Sequence, residues 1–311
     1  MIPDTKHSGN LWGSEVCSLS MPGYTVEFRD LCLSQQSFLM DEFNDFKLDV
    51  SSVDVKALHK LECDVYRLET APDIDPGELE ECGLYTPIQI RNGNQLKLIG
   101  HDFIAEFTIN SDIGGISSSS LGVFARDDLN ESSVVDNFLR YFTAHYAVAR
   151  SGAILHSAGI VVDESAIVFS GYSNVGKTTL SRKAYAAGCP ILSDDINLIL
   201  PSDKGYLAHK VPFTGEFGKT VEQTCMGRSY PLNMIALLEQ GNPLNAELVK
   251  PSSAVSRLLT ASPFVNSDDS HIPSLFDVFS DLTASVQIIK LTLTRECKFN
   301  DIISMVRQLE C

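Results

Sequence analysis

Residues 166–188 read AIVFSGYSNVGKTTLSRKAYAAG and decide the fold of the second half of the chain. The apolar, β-branched run at 166–169 predicts a buried strand. The good helix formers that follow the glycine-containing stretch predict a helix that ends at Gly188. Between strand and helix, Gly171 to Thr178 matches the pattern G-x-x-x-x-G-K-[ST] in full. The sequence therefore predicts a strand, a glycine loop and a helix, in that order.

A loop of this kind favours phosphate binding. Its backbone N–H groups and the positive end of the helix converge on phosphate oxygens. Lys177 reaches the β- and γ-phosphates, and the Thr178 hydroxyl can ligate Mg²⁺. We therefore expect ATP and Mg²⁺ as cofactors, with a glycine-rich turn that binds no ligand as the alternative. The residues expected to contact the nucleotide are Gly171, Tyr172, Ser173, Asn174, Val175, Gly176, Lys177, Thr178 and Thr179.

Two adjacent acids and a histidine flank this motif in the sequence. Residues 191–195 read ILSDD, an apolar run that ends in Asp194 and Asp195. One aspartate at a strand end beside the loop can hold the metal, and the other can take a proton from an attacking hydroxyl. The alternative is a solvated turn between two strands. His156 lies in the strand pattern at 154–162, where a lone histidine is usually a core residue.

Three segments together resemble a known family: LHSAGIVVD (155–163), AIVFSGYSNVGKTTL (166–180) and GCPILSDDINLI (188–199). They are similar to the kinase domain of HPr kinase/phosphorylase, and closer still to the broader set of HPr-kinase-like proteins. The resemblance covers about residues 133–311. It implies an α/β fold with a P-loop kinase core and a mixed sheet, like that of phosphoenolpyruvate carboxykinase. It also implies that His156 lies near the transferred phosphate or bonds to an aspartate.

The same resemblance implies roles for individual side chains. Asp194 becomes a metal ligand together with Thr178, and Asp195 becomes the catalytic base, assisted by Lys177 and His156. Residues 211–219 read VPFTGEFGK, and a Pro-Phe-x-Gly-Glu loop is similar to one in the HPr-kinase-like proteins. It implies that Glu216 helps to bind magnesium or substrate, with a surface turn as the alternative.

Composition limits the class of protein and of partner. The chain has 311 residues, of which 44% are hydrophobic and 21% charged, and its formal net charge is −16. Residues 1–150 carry 24 acidic and 11 basic side chains, whereas residues 151–311 carry 16 and 13. Such acidity disfavours nucleic acid and anionic membranes as partners. There is no apolar run of spanning length and no secretory signal, so we predict a cytoplasmic protein.

The coarse organisation follows from the same patterns. We predict an α+β domain of unknown role, rich in strands, over residues 1–130 and the kinase-like domain over residues 131–311. Asn92-Gly93-Asn94 predicts a hairpin turn, and the four serines at 117–120 predict a turn or loop. A helix is predicted from about Ser133 to Arg150, with Phe138, Phe142 and Tyr146 on one face. Further along, a strand is predicted at 231–239 and helices at 252–260 and 301–309.

These expectations lead to one function and its alternatives. The first is a Mg-ATP-dependent kinase that transfers the γ-phosphate to a hydroxyl, plausibly a serine, of a protein, peptide or small molecule. The second is an ATP-binding regulatory or scaffold protein without phosphotransfer. A switch or motor NTPase ranks third, because no arginine-finger or switch motif is evident. HPr kinase forms hexamers, so the resemblance leaves a homo-oligomer open.

Overall fold

The structure is a computed structural model that describes residues 12–48, 59–68, 88–100, 103–110, 115–124, 131–221, 229–266 and 269–309. The chain divides into two compact units, Met1–Phe142 and Thr143–Cys311. Within the described ranges each unit contains one mixed sheet. The six α-helices of these ranges are divided between the two units. The predicted α/β class with a mixed sheet is thereby confirmed. The domain boundary expected between residues 130 and 131 stays a prediction.

The first unit is rich in strands, as predicted. The strands are β1 (Glu15–Met21), β2 (Tyr24–Leu31), β3 (His59–Leu68), β4 (Ile88–Asn92), β5 (Gln95–Ile99), β6 (Phe103–Asn110) and β7 (Gly115–Phe124). One helix, α1 (Leu33–Glu42), and a 3₁₀ turn (Asn44–Phe46) follow the first two strands. The sheet has the order β1-β2-β3-β7-β6-β5-β4, in which the β2–β3 and β3–β7 pairs are parallel and the other pairs antiparallel.

Two local predictions in this unit have opposite outcomes. The hairpin turn is confirmed, because β4 and β5 pair antiparallel around Gly93, whose φ of +59° suits glycine. The turn predicted at 117–120 is wrong, because these serines lie inside β7. Ser119 and Ser120 pair with β6 on one side and with β3 on the other. Serine alone favours turns, but pairing on both sides of a central strand overrides that weak preference.

The predicted helix is α2 (Glu131–Ala149), within which the two units divide. Its predicted aromatic face is confirmed, since Phe138, Phe142 and Tyr146 are all buried. In the first unit the Phe138 ring stacks on Phe107 at 5.3 Å between centroids. The Phe142 ring lies 4.7 Å from that of Tyr24. Aromatic side chains spaced at i and i+4 therefore fill the core of this unit.

The second unit contains the predicted loop. Its helices are α3 (Lys177–Ala186), α4 (Pro251–Ala261), α5 (Ile272–Ser285) and α6 (Phe299–Arg307), with a 3₁₀ turn at Gly218–Thr220. Its strands are β8 (Ala153–Val162), β9 (Ser165–Ser170), β10 (Ile191–Ser193), β11 (Ile196–Ser202), β12 (Gly205–His209), β13 (Ser229–Gln240), β14 (Asn245–Leu248) and β15 (Gln287–Leu293). The predicted strand at 231–239 and the helices at 252–260 and 301–309 correspond to β13, α4 and α6. Helix α5 was not predicted.

The sheet of the second unit places β9 between two longer strands. β9 pairs antiparallel with β8 and parallel with β13, and β13 pairs parallel with β15. β8 changes partners along its length: its first residues pair with β11, and its later residues pair with β9 and β10. Buried apolar side chains from β8, β9, β13 and β15 pack against α3 and α6. The strand that leads into the glycine loop is therefore held from both sides.

No helix in the described part of the chain is long and apolar enough to cross a membrane.

Candidate functional site

The glycine loop joins β9 to α3, as the sequence predicts. Gly176 stands directly before α3 with a φ of +119°, a conformation that residues with a Cβ rarely adopt. Asn174 also has a positive φ, of +64°. Val175 is buried beneath the loop, and its N–H donates to the carbonyl oxygen of Tyr172 at 3.3 Å. One apolar side chain thus anchors the loop, while Tyr172, Ser173 and Asn174 are exposed.

Lys177 closes the loop from its helix end. Its ammonium donates to the carbonyl oxygens of Gly171 at 2.8 Å and Tyr172 at 3.1 Å. The side chain is only 7% exposed. This burial lowers the pKa of Lys177, and the nearby charge of Asp195 opposes the shift. A cation is therefore held at the loop within electrostatic reach of one of the two predicted aspartates.

The aspartates lie on a turn between β10 and β11 that Ser193 organises. The Ser193 hydroxyl accepts hydrogen bonds from the N–H groups of Asp195 and Ile196, both at 3.1 Å. The same hydroxyl donates to the carbonyl oxygen of Phe213 at 2.6 Å. A buried serine thus fixes the turn by local hydrogen bonds and ties it to the segment that begins at Phe213. Both aspartates are largely buried here, at 4% and 8% exposure.

Asp194 has one satisfied and one unsatisfied oxygen. Its Oδ1 accepts the Gly215 N–H at 2.7 Å. Its Oδ2 is buried and has no hydrogen-bond partner among the residues that the structure describes. A Cβ added to Gly215 would lie 2.7 Å from that Oδ2, so a larger residue would force the carboxylate to shift. A buried carboxylate oxygen without a donor is costly unless a cation or another partner completes it.

This orphaned oxygen fits a magnesium ligand. Mg²⁺ prefers oxygen donors and usually takes one or two carboxylates together with substrate phosphates and water. No group of three or more His, Cys, Asp or Glu side chains that can hold a metal forms within the described ranges. A metal at Asp194 therefore needs phosphate oxygens to complete its shell. Thr178 is exposed on the first turn of α3, and Glu216 is exposed beside Gly215.

Asp195 faces the histidine predicted to assist it. The His156 Nε2 lies 3.5 Å from the Asp195 Oδ1. Strand pairing produces this contact, because His156 of β8 is the register partner of Ile196 of β11. The Ser157 N–H also donates to the Asp195 carbonyl oxygen at 2.8 Å. The His156 side chain is 40% exposed and that of Asp195 11%, so the pair can be reached from outside.

Asn197 is a buried residue that supports the His156–Asp195 pair, and it was not predicted. Its Nδ2 donates to the Ser157 carbonyl oxygen at 2.8 Å and to the Ser157 hydroxyl at 3.0 Å. Asn197 is fully buried, and it therefore links β11 to β8 directly behind the His156–Asp195 contact. A polar residue within the apolar strand INLIL (196–200) is the signal in the sequence that can reveal it.

The segment after Phe213 is fastened to α3 as well as to Asp194. The buried Phe217 ring makes an edge contact with Tyr185 at 5.9 Å, and the Arg182 guanidinium lies 5.6 Å above the same ring. Glu216 is exposed on this segment, and it is the backbone of its neighbour Gly215 that contacts Asp194. The structure thus brings Lys177, Asp195 and His156 together. The roles assigned to all predicted site residues remain predictions.

Comparisons with known proteins give a family match and a likeness to solved structures. Residues 130–311 match the model of the family described as "SynChlorMet cassette protein ScmC". Among solved structures, the HPr(Ser) kinase/phosphatase from Coxiella burnetii is 12% identical. The alignment covers 50% of this chain and 95% of that chain, with a TM-score of 0.31. No curated protein matches the sequence.

Proposed function

The chain belongs to the family described as SynChlorMet cassette protein ScmC, and from the geometry of its loop we propose that it is a Mg-ATP-dependent kinase. It transfers the γ-phosphate to a hydroxyl of a protein, peptide or small molecule. One observation carries the proposal. A buried lysine at a strand–glycine loop–helix junction lies within electrostatic reach of Asp195, which itself contacts His156. The residue expected to bind phosphate and the residue expected to remove the proton are therefore near each other.

The loop supplies the phosphate-binding part of the reaction. The backbone N–H groups of this loop and the N-terminus of α3 receive the β- and γ-phosphates beside the exposed residues Tyr172, Ser173 and Asn174. Lys177 neutralises charge that develops on the bridging and terminal oxygens during transfer. Thr178 and Asp194, with Glu216 as a further candidate, would hold Mg²⁺ against the same phosphates. When bound, the metal supplies charge neutralisation and alignment of the phosphates.

Asp195 supplies the base. As the acceptor oxygen forms its bond to the γ-phosphorus, the bond from that phosphorus to the β-bridging oxygen breaks and ADP leaves. The hydroxyl proton passes to the Asp195 carboxylate, and His156 at 3.5 Å orients that carboxylate. The partial exposure of the pair gives an acceptor hydroxyl a route to the base.

The first experiment follows label from γ-³²P-ATP in the presence of Mg²⁺ and a fractionated lysate. We expect label on a discrete acceptor with the wild-type protein. Lys177→Ala and Asp195→Asn should each lower its rate by about 100-fold or more, because they remove a phosphate contact and the base. Matched controls are Lys204→Ala and Asp203→Asn, which change exposed residues in the turn between β11 and β12 and should leave transfer unchanged.

The alternative is a nucleotide-binding regulatory protein that does not transfer phosphate. Its support is the burial of Lys177 in contacts with the loop's own carbonyl groups, which also suits a site that only holds a ligand. ATP binding that Lys177→Ala abolishes, together with no labelled acceptor and no phosphate release, would establish this alternative. Label that appears only as free phosphate would instead indicate an NTPase.

A further inference from the structure

A cleft of about 270 Å³ opens beside the glycine loop. Its walls come from the loop at 174–176, from Thr179 and Lys183 of α3, from Gln240 and Gly241 at the end of β13, and from the turn at 293–296. We propose that this cleft binds the nucleoside, base and ribose together, of the nucleotide whose triphosphate lies on the loop. The assignment rests on the proposed function and adds a subsite to it.

The position of the cleft is the first argument. Asn174, Val175 and Gly176 of the loop line the cleft, whereas Lys177, Asp195 and the other residues assigned to chemistry do not. A molecule with its terminal phosphate near Lys177 and Asp195 must therefore direct its opposite end along α3. From Lys177 to Lys183 the helix rises about 9 Å, roughly the length of a nucleoside, at 1.5 Å per residue.

The chemistry of the lining is the second argument. Val175, Leu180, Leu293 and Ile302 form an apolar floor, and each of them is buried. Such a floor suits the flat face of a base. Polar groups at the rim suit its edge and the ribose hydroxyls. The rim carries Gln240 and Thr294, and the exposed Arg295 has a planar guanidinium that can stack on a base.

The walls are held in place before any ligand binds, which is the third argument. The Lys183 ammonium donates to the carbonyl oxygens of Arg295 and Cys297, the latter at 2.6 Å, and so ties the turn at 293–296 to α3. The Gln240 amide donates to the Asn174 carbonyl oxygen at 3.0 Å and ties the end of β13 to the loop. Lys183 thus acts as a positioning residue. A preformed cleft loses less entropy when it takes a ligand.

The test compares two ligands that share the triphosphate and differ in the nucleoside. Titration calorimetry on the full-length protein would measure Kd for Mg-ATP and for Mg-tripolyphosphate. We expect the wild-type protein to bind ATP at least 10-fold more tightly. Lys183→Met, which releases the turn, and Arg295→Ala, which removes the stacking group, should weaken ATP about 10-fold and leave tripolyphosphate unchanged. Lys204→Met and Arg307→Ala are matched controls on exposed residues outside the cleft and should change neither affinity.

Three results would overturn the assignment. The wild-type protein could bind both ligands with equal affinity. The cleft variants could weaken the binding of both ligands equally, or they could leave the affinity for ATP unchanged. A thermal melt of each variant verifies that it is folded. The readout needs no phosphate transfer. Preferential ATP binding without a labelled acceptor therefore contradicts the proposed kinase and still supports the cleft, whereas a wild-type protein that binds no ATP overturns both.

Discussion

His209 is a partly buried histidine at the end of β12, and its burial lowers the pKa of the imidazole from 6.5 to about 4. The unfolded chain therefore binds a proton between these values that the folded protein does not bind. The contribution of the neutral His209 to the unfolding free energy is fully present above pH 6.5. It is lost as the pH falls toward 4. We expect this residue alone to cost about 2 kcal/mol of unfolding free energy between pH 7.5 and pH 5.

Urea unfolding of the wild-type protein and of His209→Gln at these two pH values measures that loss. Other histidines titrate in both proteins, so the difference between the two pH dependences isolates His209. The variant should lose about 2 kcal/mol less than the wild type over this interval. Parallel pH dependences would show that His209 becomes protonated without penalty.

The sequence could predict single residues only where a local pattern marks them. Lys177 is fixed by the loop motif, whereas a contact of His156 with an aspartate is implied only by the resemblance to the HPr-kinase-like proteins. Gly215 could not be found this way. Its N–H reaches Asp194 across 21 residues of chain, and nothing in the local pattern of either segment encodes that distance. Contacts of this kind depend on how strands pair, which a single sequence does not specify.

At the scale of elements, a glycine of β8 allows a side chain of β11 to pack closely against the β8 backbone. A Cβ added to Gly159 of β8 would lie 2.0 Å from the Asn197 Oδ1 of β11. We expect Gly159→Ala to lower the unfolding free energy by about 1–3 kcal/mol through overpacking. Asn197→Ala should cost about 1–3 kcal/mol, because it removes the two buried hydrogen bonds that the Asn197 amide donates to Ser157. The double variant should cost clearly less than the sum, since shortening Asn197 makes room for the new methyl group.

A double-mutant cycle by urea unfolding tests this coupling. The matched control combines Asn197→Ala with Gly205→Ala. Gly205 is the first residue of β12, with a φ of +116° and with no atom within 4 Å of an added Cβ. Alanine there costs stability through backbone strain alone, so the control pair should be additive within about 0.5 kcal/mol. Additive behaviour of the Gly159 pair as well would contradict the close approach of the two strands.

The elements themselves were more predictable than their order in the sheets. The strand–loop–helix unit, the hairpin at Gly93 and helix α2 all follow from local period and turn residues. The position of β9 between β8 and β13 does not, because β13 begins about 60 residues after β9 ends. The serines of β7 also show that local sequence does not determine strand pairing. Their local preference is outweighed by two neighbouring strands that are distant in the sequence.

At the scale of the whole molecule, charge predicts which partners the chain excludes. The net charge is −16, and most of the excess lies in residues 1–150. Binding to DNA or RNA relies on cations that displace counterions from the phosphate backbone, and an acidic protein repels that backbone over about 8 Å at physiological salt. The cations at the loop do not reverse this balance. Lys177 is buried, and the ammonium of Lys183 donates to backbone carbonyl groups.

We therefore expect no binding of a fluorescent 20-nucleotide single strand or duplex at about 10 μM protein and 0.15 M salt, where non-specific binders are often already detectable by anisotropy. Neither DNA nor RNA should stimulate the consumption of ATP. Lys177→Ala provides the background for ATP consumption. Salt-sensitive binding, with an affinity that falls steeply as salt rises, would instead reveal a basic surface that the net charge conceals. It would also favour a nucleic-acid-driven NTPase over a kinase, because the phosphate acceptor would then be water.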